Sequence, residues 1–90
     1  MTRNLTPTVT RVRDEDQNDP EVFQYRVELN GVLIGFVTRG PGYGITYNPW
    51  AATSMIAKTS EGRRLRSCER TRQAGVDWVV AMAHRAEQGR

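Results

Sequence analysis

Residues Phe23–Val37 read FQYRVELNGVLIGFV, two apolar-alternating runs joined by Asn30-Gly31. Asn-Gly supplies the positive φ angles of a two-residue type I′ turn, whose twist matches that of the flanking strands. With that turn the register follows: Leu29 faces Val32, Val27 faces Ile34, Tyr25 faces Phe36 and Phe23 faces Thr38. Apart from Thr38 these residues are apolar or aromatic, so one face of the ribbon is expected to be a core wall. The other face pairs Glu28 with Leu33, Arg26 with Gly35 and Gln24 with Val37. There Leu33 and Val37 form an expected outward contact patch.

Upstream, residues 1–22 hold Pro7, Pro20 and the polar block DEDQNDP. They read as a flexible polar leader, with Thr8-Val9-Thr10 able to add a short strand. Downstream, Arg39-Gly40-Pro41-Gly42 breaks the second strand. A third strand centres on 44–48, on 50–57, or runs through both with a bend at Pro49. Thr59–Gly62 turns the chain into Arg63–Cys68, where Arg64, Arg66 and Cys68 point one way and Arg63, Leu65 and Ser67 the other. Such an arginine-rich face belongs on an exposed or edge strand.

The period then becomes helical, with Thr71 or Ser67 as N-cap. Gly75, Trp78, Val79, Met82 and Ala86 share one face. Gly75 costs helix propensity, and its place in the first turn suits a close approach to the sheet. The expected architecture is α+β: a two-layer domain over 23–88, in which a three- to four-stranded, mostly antiparallel sheet packs on one C-terminal helix. Its core would set Phe23, Tyr25, Val27, Leu29, Ile34 and Phe36 against Trp78, Val79 and Met82.

The chain has 90 residues, 13 basic and 10 acidic, with formal charge +3. Residues 1–22 hold three arginines against five carboxylates, leaving +5 for residues 23–90. Lys58, Arg63, Arg64, Arg66, Arg70 and Arg72 lie close in sequence, the pattern of a local anion-binding surface. Cys68 is the single cysteine, so no disulfide forms within the chain and a reducing, cytoplasmic setting is expected. No secretory or membrane-spanning pattern is present, and no membrane partner is expected.

The helix start, CERTRQAGVDWVV, resembles a group of short proteins from actinobacteria and their bacteriophages. These share a hairpin with an "NG" or "DG" turn, a strand ending in valine, a tryptophan-alanine strand and a "TR-x-x-A-x-x-W" helix. The matching positions are Gly31, Val37, Trp50, Ala52, Thr71, Arg72, Ala74 and Trp78. The group brings no established activity, and this chain departs from it at Gly75 and in the long Tyr43–Asn48 insertion. Strands followed by one helix are also similar to AP2-type and integrase arm-type DNA-binding modules.

Catalytic patterns are missing from the sequence. Cys68 and His84 do not make a zinc ligand set. If the span between them is helical they lie roughly 24 Å apart, too far for a nucleophile pair. Gly40–Gly44 is glycine-rich without the lysine and helix start of a phosphate loop. No enzyme, metal or cofactor is expected. Two binding functions remain. A protein-interaction module, of phage-effector type or a homodimer, would hold a host or self protein surface through Arg39, Tyr43, Ile45, Tyr47 and Trp50 with Leu33 and Val37. The alternative is double-stranded DNA on the basic hairpin: Arg64 and Arg66 toward the groove, Lys58, Arg63, Arg70 and Arg72 around them.

Overall fold

Asn30 at φ 54° and Gly31 at φ 79° occupy the left-handed region, and the turn they make joins β2 (Phe23–Leu29) to β3 (Val32–Arg39). Near the turn the register is the expected one, Leu29 opposite Val32 and Glu28 opposite Leu33. It then shifts. Val27 pairs with Gly35, so Ile34 is an extra residue on β3 and a β-bulge. Beyond it Arg26 pairs with Phe36, Tyr25 with Val37, Gln24 with Thr38 and Phe23 with Arg39.

A one-residue shift exchanges faces. Val37 therefore turns inward and is fully buried, while Phe36 turns out beside Arg26. This corrects two expectations: Phe36 is not core, and Val37 is not a surface contact.

The structure is a computed structural model describing residues 6–12, 22–40 and 42–88, side chains 87 and 88 excepted. Three further strands complete the sheet: β1 (Thr8–Arg11), β4 (Trp50–Lys58) and β5 (Arg64–Glu69). The order is β1-β2-β3-β4-β5, every neighbour antiparallel. The sheet thus has five strands where three or four were expected, because Thr8–Arg11, within the stretch read as a leader, pairs with β2. The rest of that leader, apart from residues 6, 7, 12 and 22, lies outside the described residues.

The third-strand ambiguity resolves to Trp50–Lys58, with 42–49 a loop. The β4–β5 register slips between Thr53 opposite Arg66 and Lys58 opposite Arg64, so residues 54–57 stand against Leu65 alone. Ser54, fully buried, organises this wide bulge. Its hydroxyl accepts from the N–H groups of Ile56 at 3.2 Å and Ala57 at 2.9 Å.

One helix, α1 (Arg72–Gln88), covers one face of the sheet. Thr71 caps it, its Oγ1 accepting from Ala74 N–H at 3.0 Å. The core holds Val27, Ile34, Val37, Ala52, Val76, Val79 and Ala83, with Leu29, Trp50, Trp78 and Val80 against it. Val27, Ile34 and Val79 stand where the sequence put them. Phe23, at 40 % exposure, does not.

Two glycines set the helix–sheet distance. A Cβ on Gly75 would lie 2.8 Å from Val37 Cγ1, and one on Gly35 would lie 2.5 Å from Val79 Cγ1. Each layer thus sinks a valine into the other's glycine.

Candidate functional site

At the end of the sheet where α1 begins, Phe23, Arg39, Trp50 and Glu69 form one row across four strands. The next row inward carries Arg11, Tyr25, Val37, Ala52 and Ser67. By strand alternation both rows face the helix side. The first turn of α1 reaches Val37 at Gly75, and the outer row lies beyond it.

The aromatics of this shelf each carry an arginine. Arg11 lies 4.9 Å from the Phe23 ring centroid, Arg39 5.9 Å from Trp50 and Arg72 4.8 Å from Tyr25. Tyr25 and Trp50 meet at 6.0 Å, tilted by 52°. A cation held over a ring face makes this contact through its charge and not through its N–H groups, so the contact does not use up its hydrogen-bonding capacity.

The loop from Arg39 to Trp50 rises from the same end. Tyr43 N–H donates to the Gly40 carbonyl at 3.0 Å. Ile45 and Asn48 exchange backbone hydrogen bonds of 2.9 and 3.1 Å, placing Thr46 and Tyr47 at a tight corner. Gly44, at φ 70°, fits against the Pro49 backbone where a Cβ would clash. On this braced loop Tyr43, Ile45 and Tyr47 are 45, 59 and 84 % exposed.

Of the expected protein-contact residues, Arg39, Tyr43, Ile45, Tyr47 and Trp50 therefore meet at one end, with Trp50 half-buried against the core. Leu33 lies elsewhere, half-buried on the helix-free face. There it lines a concavity of about 500 Å³ with Phe36, Gln24, Arg26 and Thr10. Phe23, Tyr25 and Arg11 were missed as site residues. The signal was their position at the strand ends farthest from Asn30-Gly31, where a helix starting after Glu69 supplies only its first turn as cover.

The basic stretch divides. Arg70 and Arg72 belong to the shelf end. Lys58, Arg63 and Arg64 lie at the far end of β5, roughly 20 Å away for a six-residue strand. Arg66 stands between, two residues from Arg64 on the same face. Arg63 was expected to face away from these two, yet Arg63, Arg64 and Arg66 line one concavity of about 480 Å³. The Thr59 hydroxyl holds the intervening turn, accepting from Glu61 and Arg63 N–H at 3.3 and 3.2 Å.

Few carboxylates oppose these cations. Among the described residues the one ion pair is Arg26–Glu28 at 3.4 Å. Glu69 accepts from the Ser67 hydroxyl and Asp77 from Gln73 Nε2. No group of three or more His, Cys, Asp or Glu among the described residues could hold a metal ion. Cys68 is a half-exposed free thiol on the helix-free face. His84 is half-buried, and its Nε2 has no hydrogen-bond partner. No helix among the described residues is long and apolar enough to cross a membrane. Compared with family models, curated proteins and solved structures, the chain matches none.

Proposed function

We propose that this chain is a small non-catalytic binding module, acting in a reducing, cytoplasmic setting, that grips a protein partner with its shelf end. One observation carries the reading. Three aromatics under three arginines sit beside a braced loop that presents Tyr43, Ile45 and Tyr47 to solvent. Tyr, Trp and Arg are the residues that concentrate binding energy at protein interfaces. A loop already closed by reciprocal hydrogen bonds loses little further freedom when it is covered. The arginines favour a partner whose apolar contact is rimmed by carboxylates, whether a host protein or, as a homodimer, an acidic patch on a second copy.

The second reading, duplex DNA, is favoured by the concavity of Arg63, Arg64 and Arg66, which no described carboxylate faces. The split of the basic stretch counts against it, since Arg70 and Arg72 lie at the opposite end of β5 and Arg72 stacks on Tyr25.

The test compares the wild-type chain with a Tyr43→Ser, Ile45→Ser, Tyr47→Ser triple variant. These side chains are exposed, so folding is retained. Partner capture from a lysate, or self-association by light scattering, should fall about tenfold or more in the variant. Random duplex DNA should bind neither protein. Capture indifferent to the three changes overturns the reading. So does DNA affinity that collapses between about 50 and 200 mM salt and vanishes with Arg64→Ala and Arg66→Ala.

A further inference from the structure

The sheet has two edges, and they differ. β1 is four residues long and follows Pro7 directly. β5 has six residues and pairs on one side only, with β4. The other side of β5 is a run of backbone donors and acceptors roughly 20 Å long that no described strand covers. α1 lies chiefly over β4 and β3 and also touches β5, but it is a helix and does not pair with this backbone edge.

Its side chains are sorted by face. On the helix-free face stand Arg64 and Arg66, exposed, with no described carboxylate paired to either. On the helix side Leu65, between the two arginines, is half-buried and stands opposite the β4 bulge. The edge at this end of β5 is thus cationic on one face, with apolar Leu65 on the other.

We propose that β5 accepts an extended acidic segment of a partner protein as a sixth strand. Its carboxylates, two residues apart, would pair with Arg64 and Arg66, and the intervening apolar side chain would meet Leu65. Main-chain hydrogen bonds supply the grip and alternate side chains the selectivity. A second copy fits poorly. Face-matched antiparallel pairing of two β5 strands sets Arg64 against Arg66, or Arg66 against itself, and like charges directly opposite are destabilising. A duplex offers the arginines its phosphates but nothing for Leu65 and no strand for the open backbone. The site goes beyond the shelf and shares none of its arginines, aromatics or loop residues.

The probe is a fluorescein-labelled seven-residue peptide alternating Glu and Val, titrated into the intact chain by anisotropy. Saturable binding is expected, with slowed amide exchange confined to β5 and its turn. The Arg64→Ala, Arg66→Ala double variant should weaken it about tenfold. N-methylation of alternate peptide nitrogens, which keeps charge and composition but removes donors, should abolish it. The Tyr43, Ile45, Tyr47 triple variant should bind the peptide as the wild type does, which separates this site from the shelf. The proposal is overturned if the N-methylated peptide binds equally well, if β5 exchange is unchanged, or if the peptide does not bind at low salt. It is overturned equally if duplex DNA displaces the peptide and binds more tightly.

Discussion

Gly75→Ala should destabilise this protein, although alanine is the better helix former. In an exposed helix interior the change gains about 1 kcal/mol of propensity. Here the new methyl would lie 2.8 Å from Val37 Cγ1 and 3.3 Å from Cγ2, well inside the ~3.5–4.0 Å at which carbon atoms rest. Val37 is fully buried and β-branched, so its methyls have neither room nor rotamer freedom to withdraw. Overpacking of this kind costs about 1–3 kcal/mol, so the net is a loss of about 1 kcal/mol. The sign should reverse once the obstacle is removed. Val37→Ala alone leaves a cavity and costs about 2 kcal/mol. In that background Gly75→Ala meets no clash and should gain its full ~1 kcal/mol of propensity, giving a coupling of about 2 kcal/mol between the positions. Urea unfolding of the four proteins at unchanged m value reads this directly. If Gly75→Ala stabilises the wild-type background, or the two changes add without coupling, the helix does not rest on Val37 and the reciprocal valine–glycine contact is wrong.

Three further changes probe the same frame. Gly35→Ala would drive a methyl to 2.5 Å from both the Thr53 carbonyl oxygen and Val79 Cγ1; backbone cannot swing aside, so a loss of about 3 kcal/mol, read by urea unfolding, is expected. Ser54→Ala leaves the Ile56 and Ala57 N–H groups without their acceptor, and should lower stability by about 1–3 kcal/mol with faster amide exchange at those two residues. His84→Leu replaces an imidazole whose Nε2 lacks a partner, and should be neutral or stabilising by up to about 1 kcal/mol, a rise in Tm of several degrees.

The parts of the fold that rest on local chemistry were legible in the sequence. Asn30-Gly31 announces its turn and Thr71 its cap, because each requirement is met within a few residues; Gly75 signals a close approach by its cost to the helix, without naming Val37 as the neighbour. Ile34-Gly35 also carried a warning, since a glycine inside a strand often marks a bulge or a close neighbour. Whether the extra residue would be absorbed there depends on Val79, more than forty positions away, descending onto Gly35. That long-range fact decides which of Phe36 and Val37 is core. β1 was obscure for a similar reason: Thr8–Arg11 buries almost nothing of its own and is held by its pairing with β2. The basic stretch misled differently. Nearness in sequence suggested one patch, but an extended strand carries Arg64 and Arg70 to opposite ends of the sheet.

The footprint of α1 then determines which surfaces remain for partners. A 17-residue helix is about 25 Å long and 10 Å wide, whereas five strands spaced about 4.8 Å apart make a sheet roughly twice as wide. One helix cannot cover it. Because Val79 must seat on Gly35 and Val37 on Gly75, both on β3, the axis of α1 is pinned near the middle strands. What stays available is the unpaired backbone edge of β5, the row ahead of the helix start and the opposite face. The first two hold the cations and exposed apolar groups that packing does not use: Arg64 and Arg66 at the edge, Arg39, Phe23 and the Tyr43–Tyr47 loop at the end. A change that shifted the helix, such as refilling Gly35, should therefore disturb both surfaces together. Changes within one surface should leave the other intact, and this is what the loop and arginine variants measure.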